Sequence, residues 1–265
     1  MRVFRFVVLG VFFLAAGVSV PLRAQAPEDE AAKNAEKART ALDAMVQALG
    51  GPVWLNMKNR YQHGHAAGFY HGDPDVGTLE LFEFHSWPGK DRIEATKHRD
   101  VVAFYVGSEG WEVTYRGKKQ LPQDQVDDYL RRRDHSIETA VKVWLPDPKT
   151  ILVYEGQHLA ARHLCEQVTL ISANNESVTI LMDLDTHLPL RREFQWRDPV
   201  YHDKNTDAEE YDNYRPFAGI QTPMRITRYK NNEIVRQFYV DKVEYNQDLP
   251  ADFWDVNAAA RRFKK

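Results

Sequence analysis

Five histidines on or beside alternating stretches of the chain could together form a metal site. His63 and His65 are two positions apart, so on a strand they would project from one face. His71, His85 and His98 fall in or near the neighbouring predicted strands. Imidazole nitrogens are common zinc ligands. However, no carboxylate lies at a sequence spacing from these histidines that would indicate a metal site, and surface strands often carry histidine. We therefore predict no metal and no cofactor.

Paired carboxylates could act as the acid and base of a glycosidase, and the chain has three such pairs: Asp127-Asp128, Asp183 with Asp185, and Glu209-Glu210. Each pair falls at a predicted helix start or turn, where carboxylates serve as caps. A hydrolase would be sought first at His135 with Asp134, or at His202 with Asp203. The sequence contains no nucleophile elbow, phosphate-binding loop, dinucleotide fingerprint or His-Glu-x-x-His motif. We predict that the protein is not an enzyme.

Composition excludes further classes. The net charge of −3 gives no reason to expect a nucleic-acid partner. A single cysteine, Cys165, cannot form an internal disulfide, so stability must come from a core. Cys165 lies in an alternating apolar stretch and is predicted to be a buried small hydrophobe.

The N-terminal segment has the order of a secretory signal peptide. Arg2 and Arg5 precede an apolar run from Phe6 to Val20, and small residues follow at Ala24 and Ala26. The run is shorter than the roughly 20 residues of a membrane-spanning helix. We predict a signal peptide over residues 1–24, cleaved after Ala24, and a mature region of one domain over residues 25–265. An uncleaved anchor is the alternative.

The secondary-structure elements that the sequence predicts are mainly strands. A helical pattern over Glu28–Leu49 ends at Gly50-Gly51, and a second helical region, with a break near Asp134, covers 122–144. Elsewhere the period is two, with turn signals every eight to twelve residues. The pattern predicts an α+β fold, a curved antiparallel sheet of about ten or eleven strands with helices over its concave face, and a frayed tail after Phe253.

Large apolar side chains recur along the predicted strands and the central helix. They have two interpretations: an ordinary core between sheet and helices, or an apolar cavity that holds an acyl chain. The residues expected to line such a cavity are Phe82, Phe84, Phe104, Trp111, Trp144, Ile180, Met182, Phe194 and Trp196.

Four stretches of the chain resemble the LolA-like and LolB-like superfamily of outer-membrane lipoprotein carriers, and in particular the lipoprotein-sorting proteins. They are the signal peptide with the helix ending at 48–51, the strand pair 79–84 and 92–95, the segment 182–191, and the segments 211–215, 219–223, 243–246 and 249–253. The resemblance implies an unclosed half-barrel whose concave apolar face is covered by helices. Members carry lipoproteins or other lipids across the periplasm of Gram-negative bacteria.

The leading functional prediction is therefore a soluble periplasmic carrier-like protein that binds lipid or lipoprotein acyl chains. The boundary of the signal peptide has no cysteine, unlike the lipid-anchored receptor branch of the superfamily. Envelope membrane proteins are predicted as further partners, and the protein is predicted to be a monomer. The alternative is a non-catalytic envelope structural or interaction protein with a filled core, and a hydrolase is the third possibility.

Overall fold

The computed structural model describes residues 27–160 and 162–263. The signal peptide and its cleavage site lie outside these residues and stay predictions. The helices are α1 (Pro27–Leu49), α2 (Pro52–Leu55), α3 (Gln123–Asp134), α4 (Ile137–Thr139) and α5 (Val256–Arg262), with a π-helical turn (Ala140–Trp144) after α4. None of these described helices has the length and apolar character needed to cross a bilayer.

Thirteen strands form one antiparallel sheet. They are β1 (Asn59–Tyr70), β2 (Asp73–Ser86), β3 (Lys90–Ala95), β4 (Val101–Val106), β5 (Glu109–Thr114), β6 (Gly117–Gln120), β7 (Ile151–Ala160), β8 (His163–Ile171), β9 (Ser177–Asp183), β10 (Pro189–Arg197), β11 (Lys204–Phe217), β12 (Ile220–Lys230) and β13 (Glu233–Tyr245). Their order is β6-β5-β4-β3-β2-β1-β13-β12-β11-β10-β9-β8-β7. The predicted curved half-barrel is confirmed, with more strands than the expected ten or eleven. The short strand β6 was not predicted, because its polar sequence shows no alternation of apolar and polar residues.

The strand order explains why helices cover one face. Strands β6 and β7 are consecutive in the chain but lie at opposite edges of the sheet. The segment between them must therefore cross the whole sheet, and it does so as α3, α4 and the π-helical turn. The predicted break near Asp134 is the boundary between α3 and α4.

Helix α1 packs on the concave face near β7 and β8. Its buried stripe has the predicted helical spacing and consists of Ala38, Ala41, Leu42, Met45, Val46 and Leu49. The helix ends at Gly50, whose φ of 131° is open to glycine. A Cβ at this position would lie 2.5 Å from the Gly219 carbonyl oxygen, so glycine also permits the close approach of the β11–β12 turn.

The free edge of β7 is partly occupied by a side chain of α1. The Asn34 amide donates to the Tyr154 carbonyl oxygen and accepts from the Tyr154 N–H, both at 2.8 Å. These two bonds imitate a strand pair and satisfy backbone groups that an edge otherwise exposes.

The C-terminal segment covers part of the convex face, where we had expected a frayed tail. Helix α5 buries Ala258, Ala259 and Ala260, and the last two belong to a cluster with side chains of β4 and β5. The Phe253 carbonyl oxygen accepts a 2.8 Å hydrogen bond from the buried Arg92. The alanine-rich sequence gave too weak an apolar signal to predict this packing.

Cys165 is fully buried with a free thiol. Its predicted role as a small core hydrophobe is confirmed.

Candidate functional site

A cavity of about 240 Å³ lies between the concave face of the sheet and the segment that crosses it. Its floor comes from strands on both sides of the β1–β13 pair, and α3 and α4 form its roof. The residues that line it include Leu49, Trp54, Arg60, Gln62, Glu83, His85, Asp91, Tyr129, Arg132, Arg133, Ile137, Glu138, Pro189, Arg192, Glu209, Tyr211, Tyr214, Ile226, Arg228, Arg236 and Phe238. Six of these are arginines and four are carboxylates, so the cavity is strongly charged.

The position of the roof is set by packing on β4 and β5. Tyr129 of α3 stacks on Tyr105 of β4, with ring centroids 3.6 Å apart. Val126, one turn earlier, is buried against β5 at Gly110, where a Cβ would come within 2.5 Å of the valine methyl. Because Gly110 has no side chain, α3 can lie close to the sheet. In this position Arg132 and Arg133 of α3 line the cavity.

A row of charges crosses four adjacent strands of the floor. Arg192 of β10 is paired in register with Glu209 of β11. Glu209 is paired with Arg228 of β12, which is paired with Arg236 of β13. Cross-strand partners share a face, so all four side chains belong to the concave face. Two arginines directly opposite each other repel, and carboxylates compensate both of them.

The buried Arg192 forms an ion pair with the partly buried Glu209, with 2.9 Å between Nη2 and Oε2. Arg192 is only 2% exposed and also donates to the His135 carbonyl oxygen at 3.2 Å. Burial favours the neutral form of Glu209, but the Arg192 charge and hydrogen bonds from Arg192 and Tyr211 outweigh it. Together they lower the pKa of Glu209 to about 2.

Arg228 lies at the centre of the charged row and shares its carboxylates with other cations. Its Nη2 is 3.1 Å from an Asp207 oxygen and 3.4 Å from an oxygen of Asp128. Asp128 also pairs with Arg132 and Arg131 of α3. Among the described residues, the buried Nε of Arg228 has no hydrogen-bond partner. Burial, followed by the charge of Arg228, lowers the pKa of Arg132, as expected for cations held close together.

A second charged group lies on β1, β2 and β3. Arg60 pairs with Glu138 of α4, with 2.8 Å between Nη1 and Oε1. His85 Nδ1 is 2.5 Å from an Asp91 oxygen, and Arg133 of α3 approaches the other Asp91 oxygen at 3.4 Å. These contacts tie the roof to the floor at this end of the cavity.

Gln62 is the unusual neutral member of the floor. Its side chain is 3% exposed and lines the cavity beside Glu83, its partner in register. Its amide makes no hydrogen bond to any residue that the structure describes, and it is not among the buried atoms that lack a partner. Arg236, by contrast, donates to Glu83 at 2.5 Å. The Gln62 amide is therefore available to a molecule inside the cavity.

Apolar and aromatic surface lines another part of the cavity. It comes from the C-terminal end of α1, from α2, from α4 and from the strands opposite, and its members are Leu49, Trp54, Ile137, Pro189 and Tyr214. The lining thus combines a charged part with an apolar part.

Four of the nine residues expected to line an apolar cavity belong to the convex face: Phe82, Phe84, Phe104 and Trp111. In the sheet, Phe84 lies opposite Arg92 and Arg92 lies opposite Phe104, so these side chains share one face. The cavity residues of the same strands, such as Glu83 and Asp91, alternate with them and belong to the other face. The ring of Phe84 packs on Tyr61 and Phe253, although the residue borders the cavity through its position in β2. The covering tail makes this face a second core.

The other five belong to the concave face, in the filled core beneath α1: Trp144, Ile180, Met182, Phe194 and Trp196. The apolar side chains at this end form a packed cluster, because α1, α4 and the π-helical turn pack together with β8, β9 and β10. A ligand contact for these residues stays a prediction that their packing does not favour.

The other candidates from the sequence have local partners. His63 pairs with Glu80 and His65 with Asp241, each at 2.9 Å. Within residues 27–160 and 162–263, no group of three potential ligands is placed to hold a metal ion. His135 stacks on Phe194 at 4.2 Å, and its Nδ1 contacts the Arg131 carbonyl oxygen instead of Asp134.

Sequence reasoning missed the arginines of the floor, although a signal for them exists. Arg192 has the same strand parity as Phe194, and Arg236 has the same parity as Phe238. A charge at the apolar parity of a strand indicates a buried ion pair or a polar cavity.

No protein-family model and no curated protein sequence matches this chain. Solved structures do match. A DUF1329 family protein from Desulfovibrio piger has a TM-score of 0.56 at 12% identity, covering 84% of this chain and 98% of its own. A LolA superfamily protein from Nitrosomonas europaea has a TM-score of 0.51 at 12% identity, covering 82% and 96%.

This chain has the LolA-like fold. A domain from Vibrio parahaemolyticus described as an outer membrane lipoprotein-sorting protein also shares it, with a TM-score of 0.52 at 9% identity, covering 87% of this chain and 100% of its own. The resemblance seen in the sequence is thus confirmed for the fold. At these sequence identities the similarity shows the LolA-like fold alone.

Proposed function

We propose that this protein is a non-catalytic binding protein of the cell envelope that holds an acyl-bearing ligand, a lipid or a lipoprotein, in the cavity beneath α3 and α4. The observation that carries the proposal is the cavity itself, which lies between the concave face of a LolA-like sheet and its helical cover. Concave sites with apolar walls and a few convergent polar groups are typical of small-molecule binding.

Export supports the same proposal. The basic, apolar and small-residue order of residues 1–24 is that of a cleaved signal peptide, which would deliver the protein to the periplasm. The solved proteins of similar fold include a described lipoprotein-sorting domain. A carrier in that compartment would meet acyl chains bound for the outer membrane.

The size of the cavity limits the ligand. At about 240 Å³ it is slightly smaller than the roughly 300–1,000 Å³ of sites for drug-sized molecules. A chain of medium length therefore fits with the roof closed, and a longer ligand requires α3 and α4 to move outward.

Mass spectrometry of material extracted from the purified protein tests this function, together with titration of a fluorescent fatty acyl probe. Ile226→Trp places a large ring in the cavity and should weaken probe binding at least tenfold. Leu159→Trp, on the 79% exposed Leu159 of the edge strand β7, is the matched control and should bind as wild type. Absence of both co-purified lipid and probe binding would contradict the proposal.

A non-catalytic interaction protein of the envelope is the second candidate. The filled apolar clusters beneath α1 and α5 favour it, because most of the large aromatic side chains are already used in packing. In that case Ile226→Trp would leave every ligand measurement unchanged.

A further inference from the structure

We infer that the ligand of this cavity carries an oxyanion, a carboxylate or phosphate group, which binds to Arg228 between Arg132 and Arg236, with the Gln62 amide as an additional donor. This inference rests on the proposed binding function and names the chemical class of its ligand: an anionic amphiphile in place of a neutral lipid.

Arg228 has a hydrogen-bond donor that no described residue uses. A guanidinium has five N–H donors, and the Asp207 and Asp128 contacts of Arg228 both use Nη2. Its Nε is buried, and no described residue accepts a hydrogen bond from it. Asp128 is divided among three arginines. Carboxylate and phosphate oxygens fit the open positions of such a group in a bidentate manner.

The neighbours of Arg228 are also cations. Arg236 is the direct cross-strand partner of Arg228 on the same face. Arg132 comes from the roof, and it lies close to Arg228 because both contact the same oxygen of Asp128. Three guanidiniums from β12, β13 and α3 thus surround one part of the cavity. A bound anion would add a counter-ion to the carboxylates that already pair with these arginines.

Gln62 supplies a further donor. Its side chain lines the cavity. Its amide makes no hydrogen bond to a described residue and is not among the buried atoms that lack a partner, so it can be reached from the cavity. A ligand oxygen would satisfy it. This observation is independent of the arginines, because Gln62 belongs to β1, on the other side of the β1–β13 pair.

The apolar part of the lining favours an amphiphile over a small free anion as the ligand. Leu49, Trp54 and Ile137 provide apolar surface in the same cavity. An acyl chain can therefore occupy this surface while its acidic group contacts Arg228. Inorganic phosphate would leave the apolar surface unused.

Isothermal titration with octanoate and 1-octanol tests the inference, because the two differ at the head group and have chains of equal length. We expect wild type to bind octanoate at least tenfold more tightly, the effect of one hydrogen bond between charged groups. Equal affinities would overturn the inference and leave the binding function intact. If neither compound binds, the proposed function and the inference both fail.

Gln62→Glu is the sharpest variant, since it adds a negative charge with little change of shape and breaks no hydrogen bond within the described protein. Octanoate affinity should fall at least tenfold and by a larger factor than octanol affinity, because only octanoate is negatively charged. Gln195→Glu, at an exposed position of β10, makes the same charge change and should have no effect. An unchanged octanoate affinity in Gln62→Glu would contradict the inference.

Inorganic phosphate distinguishes the two sources of an oxyanion. Displacement of octanoate by millimolar phosphate would support a site that recognises the anion alone. Failure of phosphate to compete, with octanoate still favoured over octanol, would support the anionic amphiphile.

Discussion

Replacing Glu209 by glutamine should destabilise the protein strongly at neutral pH and only weakly in acid. Glu209 is paired with the buried Arg192 at 2.9 Å, and this lowers its pKa from an ordinary 4.5 to about 2. At about 1.36 kcal/mol per pKa unit, the difference corresponds to about 3 kcal/mol of stability. Because the folded-state pKa is the lower one, this stability is present above about pH 4.5 and is lost as the pH falls toward 2.

The assay is urea denaturation of wild type and Glu209→Gln, followed by tryptophan fluorescence. The difference in the free energy of unfolding should be about 3 kcal/mol at pH 7 and about 1.5 kcal/mol at pH 3, since protonated Glu209 resembles glutamine. Glu210→Gln is the matched control. Glu210 is on the opposite face of β11, where it pairs with Arg191, and its loss should cost about 0–1 kcal/mol. A difference independent of pH would refute the reasoning.

Two further predictions concern backbone and core. Gly50→Ala should lower the free energy of unfolding by more than about 2 kcal/mol, because its Cβ would meet the Gly219 carbonyl oxygen at 2.5 Å. Gly72 is the control: it also has a positive φ but has open space around it, so Gly72→Ala should cost about 1 kcal/mol. Equal losses of stability in the two variants would contradict the close approach at Gly50. Burial lowers the pKa of His135, which stacks on Phe194, so stability should fall as the pH drops below about 6.5, where the unfolded histidine takes up a proton. His135→Phe should flatten urea stability profiles between pH 7.5 and 5.5, and an unchanged slope would contradict this assignment.

Local patterns predicted most of the elements. The stripe of α1, its end at Gly50 and the alternation of the long strands are set by residues close together in the chain, so they can be predicted without knowledge of partners. Strand β6 and helix α5 were missed for the same reason, because their sequences carry little apolar periodicity and their structure depends on distant contacts.

The structure divides most of the residues predicted to line a cavity between two packed clusters. Aromatic residues were expected to line a cavity, but Phe104 is covered by the C-terminal segment and Phe194 by α1 and its neighbours. Alternation shows that Phe82 and Phe84 share a face, yet it does not show which face looks toward the helices. That choice depends on which segments return to cover each side.

The sequence by itself determined that the chain forms a largely antiparallel β structure with an N-terminal helix and a buried lone cysteine, because these follow from local periodicity and composition. The tertiary structure decided the chemistry of the cavity. Arg192, Glu209, Arg228 and Arg236 form one row only because four strands pair in a particular register. A shift of one residue in any strand would turn its charge to the other face, so the row is a property of the assembled sheet.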